Sequence, residues 1–151
     1  VKICRMQESD LEEVMKIERV SFKLPWKRSY FLYDMNRPNA YCLVAKEENR
    51  IIGYSVAWKI EDQIHLANIA VHPQERRKGV GSQLLKAILE IGKEVRCQKI
   101  FLEVRKSNIQ AQNFYRKFGF VHTLTQKGYY HDGEDALLLE KKLFNTDKHR
   151  C

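Results

Sequence analysis

The sequence predicts a mixed α/β fold built on a mostly antiparallel sheet. Three observations carry that reading. Periodic segments follow in the order strand, two helices, three strands, helix, strand, helix, two strands. The three consecutive strands are joined by tight turns, which makes an antiparallel meander. Between the later strands, apolar residues recur at helical spacing.

Each element has a local cause. Val1 to Met6 alternates as a first strand. Ser9-Asp10 is placed to cap a helix, with Glu12 and Glu13 in its first turn, where negative charge is favoured. Leu11, Val14, Met15 and Ile17 supply the apolar face, and Glu18 continues the helix. Pro25 breaks the pattern between Phe22 and Lys27. Arg28 to Asn36 reads as a second, aromatic-rich helix closed by Pro38. Tyr41 to Ala45 is a strand and Glu47-Glu48-Asn49 its turn. Ile51 to Ile60 follows, with Gly53 marking a bulge or a close approach. His65 to Val71 completes the meander.

From Val80, the residues Leu84, Leu85, Ile88, Ile91 and Val95 mark the buried side of a helix. Ile100 to Val104 is the nearly unbroken apolar run expected of a central strand covered on both faces. Asn108 can cap a helix bearing Ala111, Phe114, Tyr115 and Phe118, and Gly119 stops it. Phe120 to Tyr130 and Ala136 to Leu143 read as two strands joined through His131-Asp132-Gly133-Glu134, since Asp-Gly is a strong hairpin signal. Residues 1–143 are expected to form one domain, followed by a polar, frayed tail over 144–151.

Composition narrows the class. With 44% hydrophobic and 30% charged residues, the chain has the balance of a soluble globular domain with its own core. No apolar run approaches the ~20 residues needed to span a bilayer. Val1-Lys2-Ile3-Cys4-Arg5 lacks the apolar stretch of a signal peptide. The expectation is a cytoplasmic protein without a membrane partner. Cys4, Cys42, Cys97 and Cys151 lie far apart, and the histidines show no ligand spacing, so no metal is expected. Cys4 and Cys42 look like small core residues, and Cys151 an exposed tail residue. The formal net charge of +8 attracts an anionic partner. Its cations are dispersed except at Arg76-Arg77-Lys78 and Lys148-His149-Arg150, whereas a nucleic-acid binder would show a continuous basic stripe.

The segment Arg76-Arg77-Lys78-Gly79-Val80-Gly81 is the most telling motif. A strand ends, two glycines bare the main chain, three cations cluster, and a helix begins. Unpaired N–H groups at a helix start, aided by the helix dipole, hold a pyrophosphate without a metal. A Walker loop is excluded because Ser82-Gln83 follows Gly81 where Gly-Lys-Ser/Thr is required. A dinucleotide fingerprint is excluded because Leu84 takes the place of its third glycine.

With this order of elements, the motif resembles the cofactor signature Arg/Gln-x-x-Gly-x-Gly/Ala of the GNAT superfamily of N-acetyltransferases. Ile69-Ala70-Val71-His72-Pro73 resembles that family's pantetheine-pairing strand, and Asn108 to Phe120 its second motif block. Within the family the chain is most similar to the ribosomal-protein-alanine N-acetyltransferases, through Pro25-Trp26, Leu102-Glu103-Val104-Arg105, Ser107-Asn108, Gly128-Tyr129-Tyr130 and Glu134-Asp135-Ala136. The resemblance implies a central, mostly antiparallel twisted sheet with a splayed parallel pair, flanked by about four helices. It implies acetyl-CoA as co-substrate and a protein N-terminus, in particular a ribosomal protein's alanine, as acceptor. Related archaeal and eukaryotic N-terminal acetyltransferases often place a catalytic carboxylate in the first helix–helix loop. Here Ser21 to Arg28 holds none, so the base lies elsewhere. Leu24 stands where many relatives carry an aromatic.

The resemblance and the residue chemistry together assign roles. Arg76, Arg77, Lys78, Gly79, Val80, Gly81 and Ser82 would hold the pyrophosphate, mainly through main-chain N–H groups, although the three cations read equally well as solvated charges. The exposed main chain of Ile69, Ala70 and Val71 would align the acetyl arm like an added strand. The Val71 N–H would meet the thioester oxygen, and Asn108 would bond the pantetheine amide. Glu103 interrupts an apolar run. Burial should make it a better base near neutral pH, and its competing reading is a salt bridge to an Arg or Lys. Tyr115, protonated at neutral pH, is the candidate acid for the leaving thiolate. It lies one step off the face shared by Phe114 and Phe118, which read as core. Trp26 and Tyr130 are expected to contact substrate, with Tyr129 and Tyr130 on opposite sides of a strand. Rival readings are a small-molecule amine acetyltransferase, acting on a polyamine or amino sugar, and a non-catalytic CoA- or nucleic-acid-binding module.

Overall fold

The computed structural model describes residues 1–144. The expectations for the tail, including Cys151 and Lys148-His149-Arg150, lie outside the described residues. The elements in chain order are β1 (Lys2–Arg5), α1 (Leu11–Ser21), α2 (Arg28–Met35), β2 (Ala40–Glu47), β3 (Arg50–Ile60), β4 (Gln63–Val71), α3 (Val80–Glu94), β5 (Lys99–Arg105), α4 (Ile109–Lys117), β6 (Val121–Gln126) and β7 (Ala136–Lys142). One seven-stranded sheet runs β1-β2-β3-β4-β5-β7-β6. Every neighbouring pair is antiparallel except β4 and β5. The predicted fold class is therefore the observed one, with α1 and α2 on one face of the sheet and α3 and α4 on the other.

The central feature is where the parallel pair stops. β4 and β5 pair only from Gln63↔Lys99 to His65↔Phe101. Beyond that they part. The cause lies two residues further on. Val56 of β3 pairs with Asn68, but its neighbour Ala57 pairs with Leu66, so Ala67 is an extra, bulged residue. A bulge bends its strand and sharpens the twist. It also shifts the side-chain phase by one. Ile64 and Leu66 lie in the core under α3, whereas Asn68 and Ala70 face α1. One strand thus serves both faces.

Gly53 is a close approach, as its position suggests. A Cβ there would lie 3.1 Å from the Ala70 carbonyl oxygen and 3.2 Å from methyls of Leu84 and Val80. It lets α3 settle onto β3, and the pairing of β2 with β3 is irregular beside it. Gly119 ends α4 at φ +92°, in the left-handed region that favours glycine. Cys42 is buried under α1 and α2 with Cys4 packed against that cluster, and Cys97 is buried under α3.

Three expectations are corrected. The strand covered on both faces is β3, buried from Ile51 to Ala57, not β5. On β5 only Ile100, Leu102 and Val104 enter the core, while Phe101, Glu103 and Arg105 line a half-open face, because α1 and α2 do not extend over it. The Asp10 side chain does not cap α1. It accepts from the Gln7 N–H at 2.8 Å and tightens a 3-10 turn over Glu8–Asp10 ahead of the helix. Tyr129 and Tyr130 are not in a strand. β6 ends at Gln126, and residues 127–135 form a loop with an internal turn closed by Gly133 N–H to Tyr130 C=O at 2.8 Å.

Candidate active site

The end of β4 and the start of α3 are joined by a turn that bares main-chain amides. Arg77 and Gly79 adopt φ +65° and +83°. The first bond of the helix ladder runs from Gln83 N–H to Gly79 C=O at 3.1 Å, so the N–H groups of Val80, Gly81 and Ser82 precede the ladder. Gly81 brings this turn against its neighbours: a Cβ there would stand 3.6 Å from the Phe114 ring and 3.7 Å from Val71. α3, β4 and α4 meet at that point. The three cations differ. Arg76 donates to the Val71 carbonyl at 3.2 Å, and Lys78 reaches Glu75 at 3.3 Å. Glu75 is also held by Arg50 at 3.0 Å, and that bond depresses its carboxyl pKa first of all. Arg77 is exposed.

Main-chain direction follows from alternation along β4. The His72 N–H donates to the Ile52 carbonyl at 2.8 Å, on the β3 side. Successive amides of a strand point to opposite sides, so the Val71 N–H, and likewise that of Ile69, faces the gap beside β5. Ala70 turns its amide to β3, so of the three residues only Ile69 and Val71 offer amides there. Asn108 caps α4 by accepting from the Ala111 N–H at 3.1 Å, which leaves its amide NH2 free to donate.

On the α1 face, side chains gather around Glu103. Its Oε1 lies 2.7 Å from His65 Nε2. His65 stacks on Phe101, centroids 4.5 Å apart, and meets the edge of Trp58 at 5.3 Å. Trp26 stacks on Trp58 at 6.2 Å, and the Trp58 ring N–H donates to Asp34 at 3.0 Å. The partner of Glu103 is thus a histidine, not the Arg or Lys envisaged as the alternative. Tyr129 and Tyr130 meet edge-to-face at 5.0 Å. Burial chiefly, with the nearby Glu103 carboxylate adding to it, pushes the Tyr129 phenol above its ordinary value. Burial pushes Tyr130 up to about 12, against the opposing pull of Arg105.

Tyr115 lies on the other face. It is 7% exposed and packs against Phe114 and Phe120. Burial raises its pKa, so it carries its proton at neutral pH. The expected order of burial is reversed: Phe114 and Phe118 are half-buried at the rim, and Tyr115 is the enclosed ring. The sheet explains this: Tyr115 joins the cluster that holds Leu102 and Val104 of β5 and Leu137 and Leu139 of β7, while Phe114 and Phe118 pack against its edge. Glu103 and Tyr115 therefore lie on opposite faces of the sheet.

Residues 11–120 match the model of the acetyltransferase (GNAT) family. The chain belongs to this family. It is accordingly an N-acetyltransferase, and its relatives are informative. A Bacillus subtilis protein, provisionally named a ribosomal protein bS18-alanine N-acetyltransferase, is 36% identical over 136 residues, covering 89% of this chain and 90% of that one. An N-alpha-acetyltransferase of Sulfurisphaera tokodaii is 32% identical, with 89% of each chain covered. The crystal structure of the Escherichia coli ribosomal-protein-bS18-alanine N-acetyltransferase superposes with a TM-score of 0.87 at 25% identity, over 96% of this chain and 95% of that one.

Two buried or half-buried residues of this region escaped the sequence reading. His65 was one of several scattered histidines, and only the parallel register His65↔Phe101 sets it beside Glu103. Glu18 is 1% exposed, where a helix-surface carboxylate would be expected. It accepts from Trp26 N–H at 2.8 Å, Asn68 Nδ2 at 2.9 Å and the Tyr54 hydroxyl. It ties the loop carrying Trp26 to the bulged part of β4. A carboxylate at a position continuing the apolar face of α1 was the available signal. Among the described residues no group of three or more His, Cys, Asp and Glu side chains could hold a metal, and no helix is long and apolar enough to cross a membrane.

Proposed function

We propose that this protein transfers the acetyl group of acetyl-CoA to the α-amino group of a protein N-terminus, with a ribosomal protein's N-terminal alanine as acceptor. The observation that carries the reading is the split between β4 and β5. It has amide donors and an enclosed phenol on one side, and Glu103 with His65 and an aromatic wall on the other. The names of the Bacillus and Escherichia relatives, ribosomal-protein-alanine N-acetyltransferases, support the acceptor class.

The residues fit the donor. The free N–H groups of Val80, Gly81 and Ser82, entered through left-handed Gly79, suit a pyrophosphate, with Arg77 available as a cation. Ile69 and Val71 offer an unpaired strand edge to the pantetheine arm, and the Asn108 amide can donate to its carbonyl. Bound there, acetyl-CoA supplies an activated acyl carbon and a thiolate leaving group. The acceptor amine enters along Trp26 and Tyr130, and Glu103 accepts its proton, oriented by the His65 imidazole. The Val71 N–H faces the gap and stabilises the oxygen as negative charge develops. Tyr115, held protonated by burial, delivers the proton to sulfur from the opposite face. An α-amine has a pKa of roughly 7.7–8.0, against ~10.4 for lysine, a handicap of about 3.4 kcal/mol for the side chain. One carboxylate suffices for the N-terminus.

The test is turnover with labelled acetyl-CoA on peptides that differ in their first residue. Preference for Ala-first peptides supports the proposal, and label appearing only on lysine or free polyamines overturns it. Glu103→Gln and Tyr115→Phe should each lower kcat by roughly 100-fold or more. Acetyl-CoA affinity, measured by calorimetry, should stay within about threefold. A variant that loses only cofactor affinity would reverse its role assignment.

A further inference from the structure

Arg105 sits two residues beyond Glu103 on the same half-open face of β5. One of its guanidinium nitrogens donates to both carboxylate oxygens of Asp132, at 3.1 and 2.9 Å, and to Glu134 at 2.9 Å. The guanidinium carbon Cζ lies over the Tyr130 ring, 4.0 Å from its centroid. Glu134 also accepts from the Ser107 N–H at 2.8 Å, just ahead of α4. On the far side Asp132 meets Lys23, of the α1–α2 loop, at 3.8 Å. Apart from its own internal turn and Asp135, which holds the Gly128 and Lys106 N–H groups, this loop is anchored by these charges. No apolar side chain of residues 127–135 enters the core.

We infer that Arg105 is a positioning residue for the acceptor: it seats the loop 127–135 against β5 and so fixes Tyr130 as a wall of the groove beside Glu103. The inference rests on the proposed peptide acceptor for its kinetic consequence, though not for its structural one. A single exposed ion pair contributes little. Here three carboxylate contacts and a cation–π contact converge on one guanidinium, with side-chain exposure of 25% for Arg105 and 22% for Glu134. Such convergence shares the ordering cost among contacts. Lysine in its place can keep the carboxylate contacts but lacks the flat face for Tyr130. Arg105 touches neither the reacting carbon nor the thiol in this scheme, so its removal acts on acceptor binding.

The experiment compares wild type, Arg105→Met, Arg105→Lys and Asp132→Asn by peptide kinetics and by amide exchange. Arg105→Met should raise the peptide KM at least about fivefold and leave kcat within about threefold, the signature of lost binding uniform to ground and transition states. Arg105→Lys should restore part of that KM. Asp132→Asn, which leaves Arg105 in place and weakens its partner on the loop together with the Lys23 contact, should move KM in the same direction. In the free protein, exchange at Ser107, Tyr130 and Gly133 should speed up at least about tenfold in Arg105→Met while the β5 amides stay protected. Unchanged exchange at those positions, or an unchanged peptide KM, overturns the inference, as does a fall in kcat alone. If the wild type acetylates no peptide, the proposed function fails, and the exchange arm still decides whether Arg105 holds the loop.

Discussion

Glu103 carries its carboxylate on the open face of β5, and the imidazole 2.7 Å away fixes which way that carboxylate points. His65 is itself held flat against Phe101. Replacing it with phenylalanine keeps the stack and removes the hydrogen bond. His65→Phe should therefore fold normally and lose roughly tenfold in kcat with a changed pH profile, as for a group that orients a base. An unchanged profile from initial rates across pH would assign His65 to packing. At this scale the sequence was informative wherever one residue contradicted its surroundings. Glu103 stood out because it broke an apolar run, and Gly79 because two glycines in a cationic segment bare the main chain ahead of a helix. His65 contradicted nothing, since its meaning depends on a strand far away in the chain. Tyr115 was singled out correctly as distinct from Phe114 and Phe118, but the sense of the distinction was inverted. Helical phase tells which residues share a face, not which face a neighbouring sheet will cover.

At the scale of elements, most boundaries follow from local chemistry. Asn108, Pro38 and Gly119 each end or begin a segment for a reason visible in the residue itself. Gly53 joins that class once its neighbours are known. Gly53→Ala would place a methyl group 3.1 Å from the Ala70 oxygen, in a strand with no slack. It should destabilise the fold by about 1–3 kcal/mol, read as a lower urea midpoint without a change of slope. A midpoint equal to wild type would show that α3 can shift away. What local chemistry could not supply was coverage. The apolar run of β5 looked doubly buried, yet only one side of it meets helices. Tyr129 and Tyr130 looked like strand residues because aromatic residues favour strands. In fact charged side chains seat them on a loop.

Taken as a whole, the molecule seats the loop beside the open face of β5 largely by ionic contacts. This makes one region acid-sensitive. Asp132 is held below its ordinary value of 3.8, first by the Glu134 N–H and then by Arg105. Glu134 is held below 4.5, first by Ser107 and then by Arg105. Depressed carboxylate pKa values stabilise the native arrangement above those ordinary values, and the benefit is lost as pH falls through the lowered ones. Loop 127–135 should therefore loosen under acid before the sheet does. Pepsin should cut within it at a higher pH than that at which the far-UV circular dichroism of the fold disappears. Simultaneous loss of both would show that the loop is held by something other than these charges.

The misplaced residue at Ala67 has a wider meaning. Because it turns the strand's phase and ends its partnership with β5, the sheet acquires a window rather than a pocket. On the proposed function, nucleotide carrier and peptide come in by separate doors, one on each face of the sheet. Neither traveller then has to wait for the other to leave, and the acyl group passes straight across the opening without being parked on the enzyme.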